Sequence, residues 1–310
     1  MCIFLTEKFH ETTSASPANP RAADDRTALA TVEAARREHF WETLVSRVDP
    51  ADLPRLAEAL QFSDACGELD SAANLPCLKA LEVRDASGEP LIFDAARLGL
   101  VDCVAFIHKL CDQIVERRDR AAAHRSFGLL AVNNGGISAL FAAAGAGHCN
   151  VLEYAVKAFG ANVLRTTDRD GLNLAHLAVL RQQPAVLKAL AASGFSCLFT
   201  QPPKHGDFDA CTPASLAASS GCPDLLRFIL EHIDRDFAMS DRDADGLSYA
   251  HRAAIDNNVA ALEVLGDRLG EDFIFSRGTA SEVSAFDIAV MLAHTDVVEH
   301  MLQRYPAAQH

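Results

Sequence analysis

Aromatic residues are scarce in this chain of 310 residues, with one Trp, three Tyr and 7% aromatic content overall. That argues against an aromatic-rich sandwich or propeller. Basic residues are short as well. Twenty-eight Lys and Arg stand against 42 Asp and Glu, a formal net charge of −14. The average surface therefore repels a phosphate backbone, and nucleic acid is not an expected partner. The densest basic stretch, Arg117, Arg118 and Arg120, is broken by Asp119 and preceded by Glu116, which reads as a solvated helix face. No apolar run approaches the roughly 18 residues of a membrane span. The stretch from Met1 to Leu5 has no basic n-region and too short an apolar core for a secretory signal. Nine cysteines are an odd count, widely scattered, with no Cys-x-x-Cys among them. Such thiols fit a reducing compartment, and Cys103, Cys149 and Cys222 fall inside apolar helical patterns as small hydrophobes.

What is abundant is alanine, roughly one residue in six. Alanine is the best helix former and the smallest side chain that still packs, so short helices in close contact are expected. The alanines keep a register. Ala95, Ala143, Ala178, Ala217, Ala253 and Ala289 follow one another at intervals of 48, 35, 39, 36 and 36 residues by subtraction. Around each stands the same succession. A turn tip with Gly, such as Gly171 or Gly246, comes first, because a tip needs positive φ. A capping residue follows: Ser138, Asn173, Thr212, Ser248 or Ser284. A short first helix then runs to a stop at Gly147, Gln182, Gly221 or Asn257. A second helix follows, opened in two copies by Pro184 and Pro223, where the missing N–H costs nothing. Its apolar residues recur four apart, as in Val186, Leu187 and Leu190. Gly160 and Gly194 are placed to close it.

These residues resemble the ankyrin-repeat family. Thr212, Pro213, Ala217, Ala218 and Gly221 match one part of its repeat motif. Gly171 to His176 and Gly246 to His251 match another, and Ser138 through Gly147 and His148 to Asn162 match most of it. The resemblance covers about residues 85–305. Pro90 and Phe93 depart from it in the first copy, and Ala293 and His294 in the last. It implies an all-α fold, an α-solenoid of about six helix-turn-helix repeats, each hiding its apolar face only against the next. It also implies structural roles for His176 and His251, with each imidazole bonding backbone of a neighbouring loop. The longer intervals place insertions at 109–133 and 195–208. Phe195, Leu198 and Phe199 in the second either mark a contact surface or cover the adjacent repeat.

Ahead of the array, residues 1–26 are rich in Ser, Thr, Pro and Asp and read as a disordered leader. Residues 27–84 read as helices, forming an N-terminal cap or a small adaptor-binding region. Within them, Leu44 to Ala57 resembles the second half of an F-box, which implies docking to a ubiquitin-ligase adaptor. The expected opening of that motif falls on Phe40 and Trp41 and does not match.

No phosphate loop, Gly-x-Ser-x-Gly or His-Glu-x-x-His occurs, and the paired acids of the tips lack the Glu that closes a calcium loop. No enzyme activity, cofactor or metal is expected. The expected function is binding of another protein on the first-helix face and the hairpin tips, as in the family. By register the contacting positions are Asp94, Arg97, Arg181, Ser219, Ser220, Arg252, Asp256, Met291 and Leu292 on first helices, with Arg169, Asp170, Arg242, Asp243 and Asp245 at tips. The acidic tips call for a partner with basic residues beside an apolar anchor. A monomer in the cytoplasm is expected. A Ser/Thr/Pro-rich leader and an Ala/Arg-rich composition also fit an effector moved into a host cell by a specialised secretion system.

Overall fold

The structure is a computed structural model that describes residues 31–32, 34–36, 38–40, 42, 84–112, 124–125, 128–203, 211–278 and 282–305. The leader at 1–26, the F-box-like stretch at 44–57 and most of the 27–84 region lie outside the described residues, as do 113–123 of the first insertion and 204–208 of the second. The described residues between 31 and 42 are helical, and Phe40 is buried.

Every long element among the described residues is a helix, as the repeat register requires. In chain order these are α1 (Ile92–Arg97), α2 (Val101–Asp112), α3 (Ala139–Gly145), α4 (Cys149–Phe159), α5 (Leu174–Leu180), α6 (Pro184–Ala192), α7 (Pro213–Ser219), α8 (Pro223–His232), α9 (Arg235–Ser240), α10 (Tyr249–Ile255), α11 (Val259–Leu269), α12 (Glu271–Ile274), α13 (Ala285–Met291) and α14 (Thr295–Arg304). Six pairs of a short first helix and a longer second helix result: α1/α2, α3/α4, α5/α6, α7/α8, α10/α11 and α13/α14. Strand-type pairing among the described residues is limited to four isolated antiparallel bridges, Arg84 with Pro90, Val132 with Ser138, Thr167 with Asn173 and Arg277 with Ser284. Each closes the hairpin that leads into a first helix.

The helix boundaries follow from local chemistry. Pro184, Pro213 and Pro223 stand in the first turn of their helices. Thr212 caps α7 by accepting the Ser215 N–H. Asn173 and Ser284 form reciprocal capping boxes with His176 and Asp287. Between first and second helices the chain turns through the left-handed region at Gly99, Gly147, Gln182, Gly221, Asn257 and Ala293, with φ of 73, 82, 52, 68, 51 and 56°. Those positions repeat at the same intervals as the alanines. Three of the six carry a side chain, so the backbone geometry is more regular than the residues that make it.

The chain divides into two compact units, residues 1–143 with 150–155 and residues 144–149 with 156–310. In the first, α1 packs on α2, and the hairpins at 84–90 and 132–138 are cross-linked. The Arg84 guanidinium donates to the Gly88 and Val132 carbonyls at 2.6 Å each, and Asn133 Nδ2 donates to Glu89 Oε1 at 3.0 Å. In the second unit the first helices lie side by side, α5 on α7, α7 on α10 and α10 on α13. The second helices follow, α6 on α8, α8 on α11 and α11 on α14. All six register alanines have no exposed surface, since a larger side chain would push adjacent first helices apart. The second helices contribute the apolar bulk, such as Val186, Leu187, Leu190, Leu226 and Ile229. Phe195, Leu198 and Phe199 are buried too, and Phe199 meets Phe228 edge to face. They cover the repeat rather than offer a contact surface.

Candidate recognition surface

The hairpin tips share one construction. A residue three positions before the tip glycine folds its side-chain oxygen back onto two backbone N–H groups. Asp85 accepts from Ser87 and Glu89 (2.9 and 2.8 Å), and Asn133 from Gly135 and Ile137 (3.0 Å each). Asp168 accepts from Asp170 and Leu172 (3.0 and 2.8 Å), and Asp243 from Asp245 and Leu247 (2.9 Å each). The next residue but two is Gly88, Gly136, Gly171 or Gly246, each at positive φ. The tip acids are therefore of two kinds, those spent on the loop and those left in solvent.

Between tip and helix, histidine locks neighbouring copies together. The Asn173 N–H donates to His176 Nδ1 at 3.1 Å, and Nε2 lies 3.1 Å from the Cys211 carbonyl just before the next first helix. His251 repeats this with the Ser248 N–H at 3.2 Å and the Val283 carbonyl at 2.8 Å. Both rings are fully buried. With Nδ1 accepting, Nε2 carries the proton and donates, so each imidazole is neutral. Burial pushes the His176 pKa down to about 4 and lowers that of His251 also. At the equivalent position the first two copies bury Phe93 and Phe141 instead. Asp241 makes a further lock, accepting from the Thr212 and Tyr249 hydroxyls at 2.9 and 2.7 Å.

Against this frame the expected contact residues separate. In the first unit Asp94 is half-buried and Arg97 exposed. Arg97 pairs with Glu89 and lies 3.6 Å from Asp94. In the second unit Arg169, Asp170, Arg181, Asp245 and Asp256 are exposed and Ser219 is half-buried. Arg242 turns back on its own loop, donating to the Met239 and Asp241 carbonyls at 3.0 and 2.7 Å. Asp243 exposes none of its side chain. It binds its own hairpin and takes the Arg252 Nε at 2.5 Å, while Arg252 Nη2 lies 3.8 Å from Asp245. Asp243 has no surface to offer a partner, because a tip built on a side-chain oxygen must bury that oxygen. Arg252 is largely committed to neutralising it.

Beside these polar groups stand apolar side chains, of which register reasoning named Met291 and Leu292 but not Leu180 or Val290. Leu180 is 45% exposed next to Arg181, and Val290, Met291 and Leu292 are 53%, 76% and 49% exposed at the end of α13. The preceding counterparts of Val290, from Ala96 to Ala254, are buried. Val290 has no further copy against it among the described residues.

No protein-family model matches this chain, and no curated protein matches it. Solved structures do. A chain from the structure of the Bd0816 predatory endopeptidase from Bdellovibrio bacteriovorus in complex with immunity protein Bd3460 is similar over 72% of this chain and 100% of its own length, at 15% identity and a TM-score of 0.52. The ankyrin repeat domain of Bcl-3, a member of the IkappaB protein family, aligns with 71% of this chain and 85% of its own, at 13% identity and a TM-score of 0.49. The likeness is one of fold. The ankyrin-type character of the repeats rests on the chain's own hairpins, capping boxes and histidine locks.

Proposed function

We propose that this array of ankyrin-like repeats is a protein-recognition scaffold, which binds its partner through first-helix ends and hairpin tips and carries out no turnover. One observation carries the reading. Inside each repeat the register positions are sealed and nearly invariant in size, whereas three residues after each register alanine the same backbone site presents Leu98, Ala146, Arg181, Ser220, Asp256 and Leu292 to partial or full solvent. A stack that fixes its core and varies one accessible position is built to display chemistry. The surface the second unit displays combines acids at Asp170, Asp245 and Asp256 with Leu180, Met291 and Leu292, and Arg169 and Arg181 stand among them. That composition suits a partner whose basic residues flank an apolar anchor.

Affinity capture with the full chain, compared with an Arg181→Glu, Asp256→Lys double variant, tests the assignment. Both residues are exposed, so the helical circular dichroism and melting temperature should not change. Capture of the partner should fall at least about tenfold, the effect of about 1.4 kcal/mol. Undiminished capture by the folded double variant would place the binding surface elsewhere.

A further inference from the structure

Three metal-ligating side chains of the first unit meet outside the repeat register, at positions the recognition surface does not use. His108 and Asp112 are one turn apart on α2, so they leave the same face of the helix. His124 reaches them from the insertion that follows. His108 Nε2 lies 3.2 Å from Asp112 Oδ2, and His124 Nε2 lies 3.2 Å from Asp112 Oδ1. The two rings stand 5.1 Å apart, edge to face. One nitrogen from each ring and one carboxylate oxygen all fall within 4.8 Å of one another. Among the described residues no other group of three His, Cys, Asp or Glu side chains gathers this closely.

The surroundings favour a site over a chance ion pair. The hydroxyl of Tyr154 lies 2.7 Å from His108 Nδ1, which fixes the ring with Nε2 toward Asp112. A partner on the far ring nitrogen is the usual orienting device for a ligating histidine. The His108 and His124 side chains are 13% and 9% exposed, while the Asp112 side chain is 50% exposed. Two walls of the cluster are thus held by packing and the third opens to solvent. Donors about 2.1 Å from a common cation lie about 3 to 3.5 Å apart; each imidazole already stands 3.2 Å from one oxygen of the Asp112 carboxylate, His108 from Oδ2 and His124 from Oδ1.

We propose that His108, Asp112 and His124 bind one divalent transition cation of the zinc type, with two imidazoles and a carboxylate as ligands and the remaining position open to water on the Asp112 side. Two nitrogen donors select zinc, cobalt or nickel over calcium or magnesium, which prefer all-oxygen sites. The bound ion ties residue 124 to α2 across the insertion.

Cobalt is the probe, added to the full chain after chelator treatment and with the cysteines kept reduced. One equivalent should bind, with visible d–d absorption and no thiolate charge-transfer band in the near ultraviolet. Asp112→Asn changes a half-exposed group with little change of shape, and it should weaken binding more than tenfold. Tyr154→Phe should weaken it by about ten- to a hundredfold while leaving one site, the usual cost of losing an outer-shell partner. His124→Gln should abolish the spectrum, with far-ultraviolet circular dichroism reporting the fold of each variant. Absence of binding, a spectrum unchanged in Asp112→Asn and His124→Gln, or a thiolate band marking cysteine ligation would each overturn the assignment.

Discussion

At the scale of single residues, the left-handed stop between first and second helices separates backbone demand from residue identity. Gly221 at φ 68° and Ala293 at φ 56° hold the same place in the fourth and sixth copies. Both are exposed, and a β-carbon at Gly221 would meet nothing within 4 Å. Only backbone strain therefore separates Gly from Ala here, about 1 kcal/mol for an L residue in this region. Gly221→Ala should lower unfolding stability by about 1 kcal/mol, and Ala293→Gly should raise it by a similar amount, both read from urea midpoints at constant slope. Gly147 is a different case. A β-carbon there would lie 2.4 Å from Gln183 Oε1, adding a clash to the strain. Equal effects at Gly147 and Gly221 would mean that the side chain of Gln183 gives way freely. The places of these stops were legible from register, at Gln182 and Asn257 as well as at the glycines, and Ala293 stood out only as a departure. The left-handed backbone at the three non-glycine stops was not legible, because a residue that tolerates strain carries no mark of it.

The hairpin and its histidine are the element-scale unit. His176 is neutral and buried, and its pKa is pushed down to about 4 by burial, against an ordinary 6.5. Above pH 6.5 the ring is neutral in both folded and unfolded chains and contributes nothing to pH dependence. Below it the unfolded chain takes up the proton and the folded chain does not, so stability falls until the folded pKa is reached. Between pH 6.5 and 4 the loss amounts to about 3 kcal/mol for this residue. His176→Gln keeps a donor near the Cys211 carbonyl without a titrating ring. Its urea midpoint should vary less with pH across that window than the parent's, although it starts lower at pH 7. A parent chain equally stable at pH 7 and pH 4.5 would contradict the buried neutral ring. The role of His176 and His251 was legible through the resemblance to the ankyrin motif, which these two copies carry in the same register. The burial of Asp243 was not. Asp241, Asp243 and Asp245 alternate in one short loop, and only the spacing to Gly246, shared with Asp85, Asn133 and Asp168, singles out the acid that folds inward. The trio of His108, Asp112 and His124 joins one face of α2 to the insertion that follows it, a combination no other copy repeats, and so escaped a reading built on register.

For the molecule as a whole, repetition sets how far a disturbance travels. In the second unit the first helices pack chiefly on the copies before and after them, so stability is expected to be a sum of local terms and neighbour terms. Ala253 lies at the centre of that row with no exposed surface, between α7 and α13. Ala253→Leu forces three extra carbons into the seam and should cost about 1 to 3 kcal/mol, with the strain borne by both neighbours rather than by its own copy alone. Hydrogen exchange resolves the expected pattern. Amides in 213–232, 249–269 and 285–304 should exchange faster in the variant, whereas those in 92–112 should keep the parent's protection. Loss of protection spread evenly over all of these segments would show that the chain opens as one cooperative body, and the nearest-neighbour account of how the repeats hold one another would be wrong.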